Sequence, residues 1–178
     1  MSKITLSRWA AAAALGLTAL LPGAAQAEQF AGGVAGVKLG MPRAEALKGL
    51  LANGIELDVE RTVCLEQVAD KYKPYADRIC KLPTLGASRF MEMPVSKVSL
   101  MFKEDKVVLV GLEIGELKTA YVDALGKLRA LLGEPAEPQQ DSSASWREPA
   151  DTTPRATATK LVADDVRAYF VYSDAALR

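Results

Sequence analysis

The chain has 178 residues, with 22 acidic and 22 basic side chains, two cysteines and no histidine. An apolar content of 49% and a charged content of 25% are typical of a globular protein with one sizeable core. This composition excludes a strongly basic nucleic-acid binder and a disulfide-dense mini-protein. The absence of histidine also removes the commonest general base and the commonest metal ligand.

The first 27 residues are typical of a secretory signal. Lys3 and Arg8 precede an apolar run of about a dozen residues, and Ala-Gln-Ala at residues 25–27 follows as a small-x-small cleavage pattern. The run is shorter than the roughly 20 apolar residues that a membrane-spanning helix needs. We therefore predict a signal peptide over residues 1–27 and a single mature domain over residues 28–178, in the bacterial periplasm or secreted.

The mature domain is expected to carry a weak negative charge and no membrane anchor. Cleavage removes Lys3 and Arg8 but no acidic residue, which leaves 22 − 2 = 20 basic against 22 acidic side chains, a net charge of −2. This charge, without a basic block, argues against nucleic acid and anionic lipid as partners. No cysteine stands directly after the predicted cleavage site and no second long apolar segment is present, so a lipid or helical anchor is not expected.

Both cysteines, Cys64 and Cys80, lie in the mature domain. An even pair in an exported protein is typical of a disulfide, which at this loop length stabilises the fold by roughly 3 kcal/mol. A zinc site would need further ligands, and a catalytic cysteine would need a base that histidine usually supplies. The pattern favours a structural disulfide over a redox or catalytic pair.

The N-terminal part of the mature domain predicts a strand, a helix and a second strand. Residues 30–39 alternate loosely and are rich in glycine, which is typical of an edge strand. Pro42 suits the first position of a helix with leucines at helical spacing, and Asn53 and Gly54 end it. Residues 55–59 alternate apolar and acidic side chains, the pattern of a half-buried strand.

The middle of the chain predicts an irregular segment followed by a hairpin. Residues 61–93 hold both cysteines and two prolines, with Pro94 just beyond, so we expect a short helix over residues 65–72 and otherwise a loop held by the disulfide. Residues 95–102 and 106–114 are two runs rich in β-forming residues, and Lys-Glu-Asp at 103–105 joins them as a tight turn.

The C-terminal third predicts one helix and three strands. Leucines and Tyr121 fall on one helical face over residues 119–132, and Gly133 ends the helix. Strands are expected over residues 144–148, 155–162 and 166–173, with Asp164 and Asp165 turning the last hairpin. In the last strand, residues 166, 168, 170 and 172 are expected on one face of the sheet, and the residues between them on the other.

This order of elements predicts an α+β fold, with an antiparallel sheet and two main helices packed on one face. The two predicted helices, at residues 42–51 and 120–132, each open a unit in which strands follow a helix. The pattern is therefore also compatible with two α-β repeats.

Two short motifs carry a resemblance to known families. Val-Lys-Leu-Gly-Met-Pro at residues 37–42 introduces one helix, and Leu-Leu-Gly-Glu-Pro at residues 131–135 closes the other. In these motifs the chain resembles small secreted α+β proteins of the β-lactamase-inhibitor-like fold and the small outer-membrane assembly lipoproteins. It departs from the lipoproteins by lacking an acylated cysteine. The resemblance implies a non-enzymatic binding role, and it transfers no binding residue to this chain.

The sequence offers no catalytic constellation, no metal site and no cofactor motif. Serine and cysteine hydrolase arrangements fail for lack of histidine. Thr157 and Lys160 match a loose Ser/Thr-x-x-Lys pattern, but residues three apart on a strand face opposite sides, which favours a solvated strand face. Carboxylate pairs do occur, at Glu113 with Glu116 and in the predicted turn at 164–165. Because two carboxylates suffice for glycoside hydrolysis, a carboxylate-based hydrolase stays open as an alternative.

The segment closed by the predicted disulfide is the candidate binding surface. It carries Tyr72, Tyr75 and Arg78, residue types that are over-represented among interface anchors, and a disulfide would pre-order them. The ordinary alternative is that the two tyrosines cover the core beneath an irregular segment.

Together these patterns predict an exported binding module without catalytic activity, which contacts another envelope protein through this segment or through the sheet face. A structural or assembly accessory of the cell envelope and the carboxylate-based hydrolase are the alternatives. The sequence leaves the oligomeric state open.

Overall fold

A computed structural model describes residues 33–136, 142–147, 157–163 and 167–174. The predicted signal peptide at residues 1–27 lies outside the described residues, as do residues 30–32, 148, 155–156 and 164–166 of the predicted strands and turn. The described residues form one seven-stranded antiparallel sheet, a separate two-stranded hairpin and two α-helices.

The helices are α1 (Arg43–Ala52) and α2 (Leu117–Leu132). The strands are β1 (Val63–Leu65), β2 (Arg78–Pro83), β3 (Arg89–Phe90), β4 (Met93–Pro94), β5 (Lys97–Lys103), β6 (Lys106–Glu116), β7 (Ser143–Arg147), β8 (Thr157–Ala163) and β9 (Arg167–Asp174). The large sheet has the order β1-β2-β5-β6-β9-β8-β7, and β3 pairs with β4. Short 3-10 turns cover Val59–Arg61 and Asp70–Tyr72.

The predicted α+β class, together with its alternative of two α-β repeats, is wrong. The described residues are mainly antiparallel β-sheet, and one continuous sheet takes the place of separate helix-and-strand units. The difference arises in the segment predicted as a loop, which contributes β1 and β2 to the large sheet. In β2, Cys80 and Leu82 are buried while Lys81 between them is exposed, an alternation that only pairing with β5 makes evident.

Three local predictions are also wrong. The helix expected over residues 65–72 is only the 3-10 turn at Asp70–Tyr72. The strand expected over residues 55–59 is a single bridge between Leu57 and Thr84, followed by the turn at Val59–Arg61. Of the strand expected over residues 30–39, the described part forms a tight turn in which Val34 pairs with Val37. Each of these runs is too short for its own pattern to outweigh tertiary pairing.

The predicted hairpin and both helices are confirmed. Strands β5 and β6 meet at Glu104 and Asp105, which take φ values of 51° and 59°, the left-handed backbone of a tight two-residue hairpin turn. The carboxylate of Asp77 accepts a hydrogen bond from the Glu104 amide at 2.8 Å. Pro42 caps the start of α1, and the positive φ of Gly133 ends α2.

The core lies between one face of the sheet and the two helices, and we call this the covered face. Alternate residues of each central strand point into it. It includes Val98, Leu100 and Phe102 of β5, Val110, Leu112 and Ile114 of β6, Ala168, Phe170 and Tyr172 of β9, Ala46 and Leu50 of α1, and Tyr121, Ala124, Leu125 and Leu128 of α2. The indole of Trp146 donates a hydrogen bond to the Gly133 carbonyl at 2.9 Å, which fastens β7 to the end of α2.

Cys64 of β1 and Cys80 of β2 lie directly opposite each other and form the predicted disulfide, with a sequence separation of 16. Cys80 is buried and Cys64 is exposed, so the bond fastens the sheet's edge strand to its core-facing neighbour. Within the described residues, no helix has the length and apolar character needed to cross a membrane.

Candidate functional site: a groove on the uncovered sheet face

The second face of the sheet carries a groove of about 410 Å³. We call this the uncovered face, because none of the residues that line the groove belongs to α1 or α2. Its lining comes from β2, β5, β6, β9 and β8, together with Tyr72 from the segment before β2. The residues that point into the groove alternate along these strands with those of the core.

Small side chains form the middle of the groove. Ser99 of β5 lies opposite Gly111 of β6, and Ser173 of β9 lies opposite Leu109 of β6. A Cβ atom at Gly111 would lie 3.6 Å from the Ser99 Cβ and 3.7 Å from a methyl of Leu109, ordinary van der Waals contacts. The backbone therefore does not require glycine here. Its missing side chain leaves space between larger neighbours.

One end of the groove is apolar and is supported by the bridged segment, residues 66–77, which the disulfide closes. Val68 and Ala76 of that segment pack with Met101 in a small second cluster on the uncovered face. Tyr72 and Ile79 pack against this cluster and line the groove. The disulfide-closed segment thus acts as a wall of the groove.

An ion pair flanks the middle of the groove. The ammonium of Lys97 lies 2.6 Å from one carboxylate oxygen of Glu113, and the other oxygen accepts a hydrogen bond from the Ser96 hydroxyl at 2.7 Å. The Glu113 side chain is only 8% exposed, so its charge depends on these partners. Because the Lys97 ammonium and the Glu113 carboxylate engage each other, neither group is placed to act as a nucleophile or general base.

The other end of the groove is formed by β8 and β9. Val162 of β8 lies opposite Tyr169 of β9, and Lys160 lies opposite Val171. Lys160 is exposed, and within the part of the chain that the structure describes it forms no ion pair. This end therefore presents an ammonium group beside apolar and aromatic side chains.

Only one of the three predicted binding residues lies in the groove. Tyr72 is half-buried on its wall, with the ammonium of Lys71 4.7 Å from its ring centre. Tyr75 is 41% exposed and is not part of the groove lining. The three side chains therefore do not form one binding patch at the groove.

Arg78 is engaged within the fold. Its guanidinium donates to one carboxylate oxygen of Glu66 at 2.9 and 3.0 Å and lies 3.4 Å from Asp105. The hydrogen bond to Glu66 raises the pKa of Arg78 above its already high ordinary value. Asp105 also pairs with Arg43 at the start of α1, so Arg78 links the bridged segment to the turn between β5 and β6 and to α1.

Sequence reasoning missed the groove because its lining is assembled from five strands in register. It predicted a solvated strand face around Lys160, and Lys160 is exposed while its neighbour Thr159 is buried. One signal was present in the sequence: Tyr169 and Val171 alternate with the buried set of β9, so both faces of that strand carry large apolar groups. A strand with one solvated face usually carries polar residues there.

A second, smaller depression of about 330 Å³ holds two carboxylates, Glu92 and Asp123. Both are exposed, and Asp123 lies 3.4 Å from the ammonium of Lys127. A glycosidase acid needs a carboxyl that burial or a neighbouring negative charge keeps protonated. Of the predicted carboxylate pairs, Glu113 is held by Lys97, while the Glu116 side chain and residues 164–165 lie outside what the structure describes.

Among the described residues, no group of three or more potential metal-ligating side chains comes together. No protein-family model, curated protein or solved structure matches this chain. The resemblance to β-lactamase-inhibitor-like proteins and outer-membrane assembly lipoproteins therefore stays a prediction from its two motifs.

Proposed function

We propose that the protein is an exported binding module without catalytic machinery, and that the groove on the uncovered face is its ligand site. The observation that carries this proposal is a groove of about 410 Å³ with apolar walls and a few polar groups, which neither of the two described helices lines. Ligand sites typically measure about 300–1,000 Å³ and combine an apolar lining with a few placed polar groups.

The exposure of the groove's apolar side chains supports a binding role. Ile79, Leu109 and Val171 are half-buried and Val162 is 36% exposed, although they lie on strands whose alternate residues are buried. Contiguous apolar surface on a folded protein is typical of a binding site. Binding of a small ligand in the groove has more support than binding of a protein by the bridged segment. Arg78, a predicted anchor for such a protein, is already engaged by Glu66 and Asp105 within the fold.

The alternatives receive less support from the same residues. Among the described groove residues the only carboxylate is Glu113, which Lys97 neutralises, whereas glycoside hydrolysis needs two. No feature of the described residues points to a structural role in envelope assembly. A protein partner from the envelope is an outcome that the experiment below can reveal.

Export to the periplasm or beyond the cell is part of the proposal. The predicted signal at residues 1–27 supports it, and so does the Cys64–Cys80 disulfide, because disulfides persist in oxidising compartments. No cofactor is needed for the proposed role.

Photo-crosslinking in intact cells tests the groove as the binding site. A benzophenone amino acid replaces Val162, which lies on the groove wall, or Val122, an exposed valine of α2 that serves as the matched control. We expect an adduct of defined mass at position 162 and none at position 122. Equal labelling at both positions, or none at 162 in exported protein, contradicts the proposal.

A further inference from the structure

The groove has two unlike ends, and this difference points to the chemistry of its ligand. We infer that the groove takes a single-chain anionic amphiphile, with its apolar chain toward Tyr72 and Ile79 and its anionic head at Lys160. This inference rests on the proposed function and specifies the ligand of the same site.

The groove runs across the strands rather than along one of them. Its lining spans β2, β5, β6, β9 and β8, which are consecutive neighbours in the sheet. Four spacings of about 4.8 Å give a length of roughly 19 Å. The apolar cluster around Met101 lies at the β2–β5 end, and Lys160 lies on β8 at the far end. An elongated ligand therefore meets apolar and cationic surroundings at opposite ends.

The charges at the groove favour an anion over a cation. Of the three charged residues in the described lining, Lys97 and Glu113 neutralise each other, which leaves Lys160 to meet the charge of a ligand. A cationic head would face this ammonium without an available carboxylate. An uncharged head would cover the ammonium without neutralising it, and covering an unpaired charge costs free energy.

The small side chains in the middle of the groove favour a single extended chain. Ser99, Gly111 and Ser173 provide room where larger side chains would close the sheet surface, and the half-buried Tyr72 and Tyr169 line the two ends of the groove. An extended alkyl chain fits over these small side chains, between the two ends. We commit to a dissolved amphiphile rather than a bilayer, because the predicted mature net charge of −2 gives no attraction to an anionic membrane.

Calorimetry with three probes of equal chain length tests this inference. Decanoate and decyltrimethylammonium, each below its micelle concentration, and decanol, below its solubility limit, are titrated into the disulfide-bonded mature protein. We expect decanoate to bind most tightly and Lys160→Gln to weaken it by about tenfold, as expected for loss of a charge-assisted contact. Lys48→Gln, at an exposed lysine of α1, is the matched control and should leave affinity unchanged.

Each outcome decides the inference. Equal affinity for decanoate and decanol overturns the anionic head while leaving an apolar groove in place. A preference for decanoate that survives in Lys160→Gln overturns the role of Lys160. No binding of decanoate overturns the inference, and the crosslinking at Val162 then tests the proposed function separately.

Discussion

The two faces of the large sheet are built from the same strands but differ in how deeply their side chains are buried. In β5, Val98, Leu100 and Phe102 are fully buried in the core, whereas Ser99 between them is only half-buried and lines the groove. In β6, Val110 and Leu112 flank the groove residue Gly111 in the sequence, and both are buried in the core. Because side chains alternate between the two faces of a strand, one set of residues packs in the core and the other lines the groove.

This difference teaches that the uncovered face is not an ordinary solvated surface. A sheet with one solvated face usually alternates apolar and polar side chains. Here the second face carries Met101, Leu109 and Val171, and the bridged segment shields only one end of it. We therefore expect substitutions on the covered face to lower stability, and substitutions on the uncovered face to affect ligand binding more than stability.

The largest expected contrast is between matched leucines on neighbouring strands. Leu100 is fully buried on the covered face, and Leu109 is half-buried on the uncovered face. We expect Leu100→Ala to lower the free energy of unfolding by about 2–5 kcal/mol, because it leaves a cavity, and Leu109→Ala by about 1 kcal/mol. Urea denaturation of both variants measures these changes in the free energy of unfolding. Equal losses for the two variants would contradict the distinction between the covered and uncovered faces.

The disulfide is expected to give the next effect. Cys64→Ser or Cys80→Ser opens the same 16-residue link, so each should cost roughly 3 kcal/mol of unfolding free energy. The double variant should cost no more than either single variant. Thermal denaturation with and without reductant measures the loss. Two reactive thiols in the exported wild-type protein would falsify the bridge.

The ion pair on the uncovered face should give a smaller loss. Lys97→Met removes the ammonium that neutralises the buried Glu113 carboxylate and should cost about 1–3 kcal/mol. Adding Glu113→Leu should recover most of that loss, because the pair is then replaced by apolar groups. If the double variant does not recover the free energy of unfolding that Lys97→Met loses, Glu113 stabilises the fold through contacts other than Lys97.

The smallest expected effect on stability comes with a large effect on binding. Gly111→Val adds a side chain that meets only ordinary contacts at its Cβ, and valine favours a strand more than glycine does. The free energy of unfolding should therefore change by less than about 1 kcal/mol, while decanoate affinity falls at least tenfold because the groove is filled. Retained affinity would place the ligand elsewhere.

The sequence predicted the parts of the fold whose signals are local. The leucine spacing of α2, the caps of α1 and the turn at Glu104 and Asp105 are all properties of short stretches of chain, and each prediction is confirmed. The cysteine pairing followed from the even number of cysteines in a chain predicted to be exported. Strands β1 and β2 were missed because β1 pairs with β2, and β2 with β5, through residues about 14 to 24 positions apart, which local patterns do not report.

The groove was beyond sequence reasoning for the same reason. Its apolar end depends on Met101 meeting Val68 and Ala76, and its cationic end depends on β8 pairing with β9. Strand register decides which face each of these side chains occupies. Tyr72, which the sequence predicted as a binding residue, lies on the wall of the groove.

Methyl NMR of the mature protein with and without decanoate tests most directly whether the uncovered face binds the ligand. The methyls of Leu109, Val162 and Val171 line the groove, and those of Leu112 and Leu161 on the same strands point into the core. Our account predicts that the first set shifts on titration and the second does not. Equal shifts in both sets, or shifts confined to the core set, would contradict it.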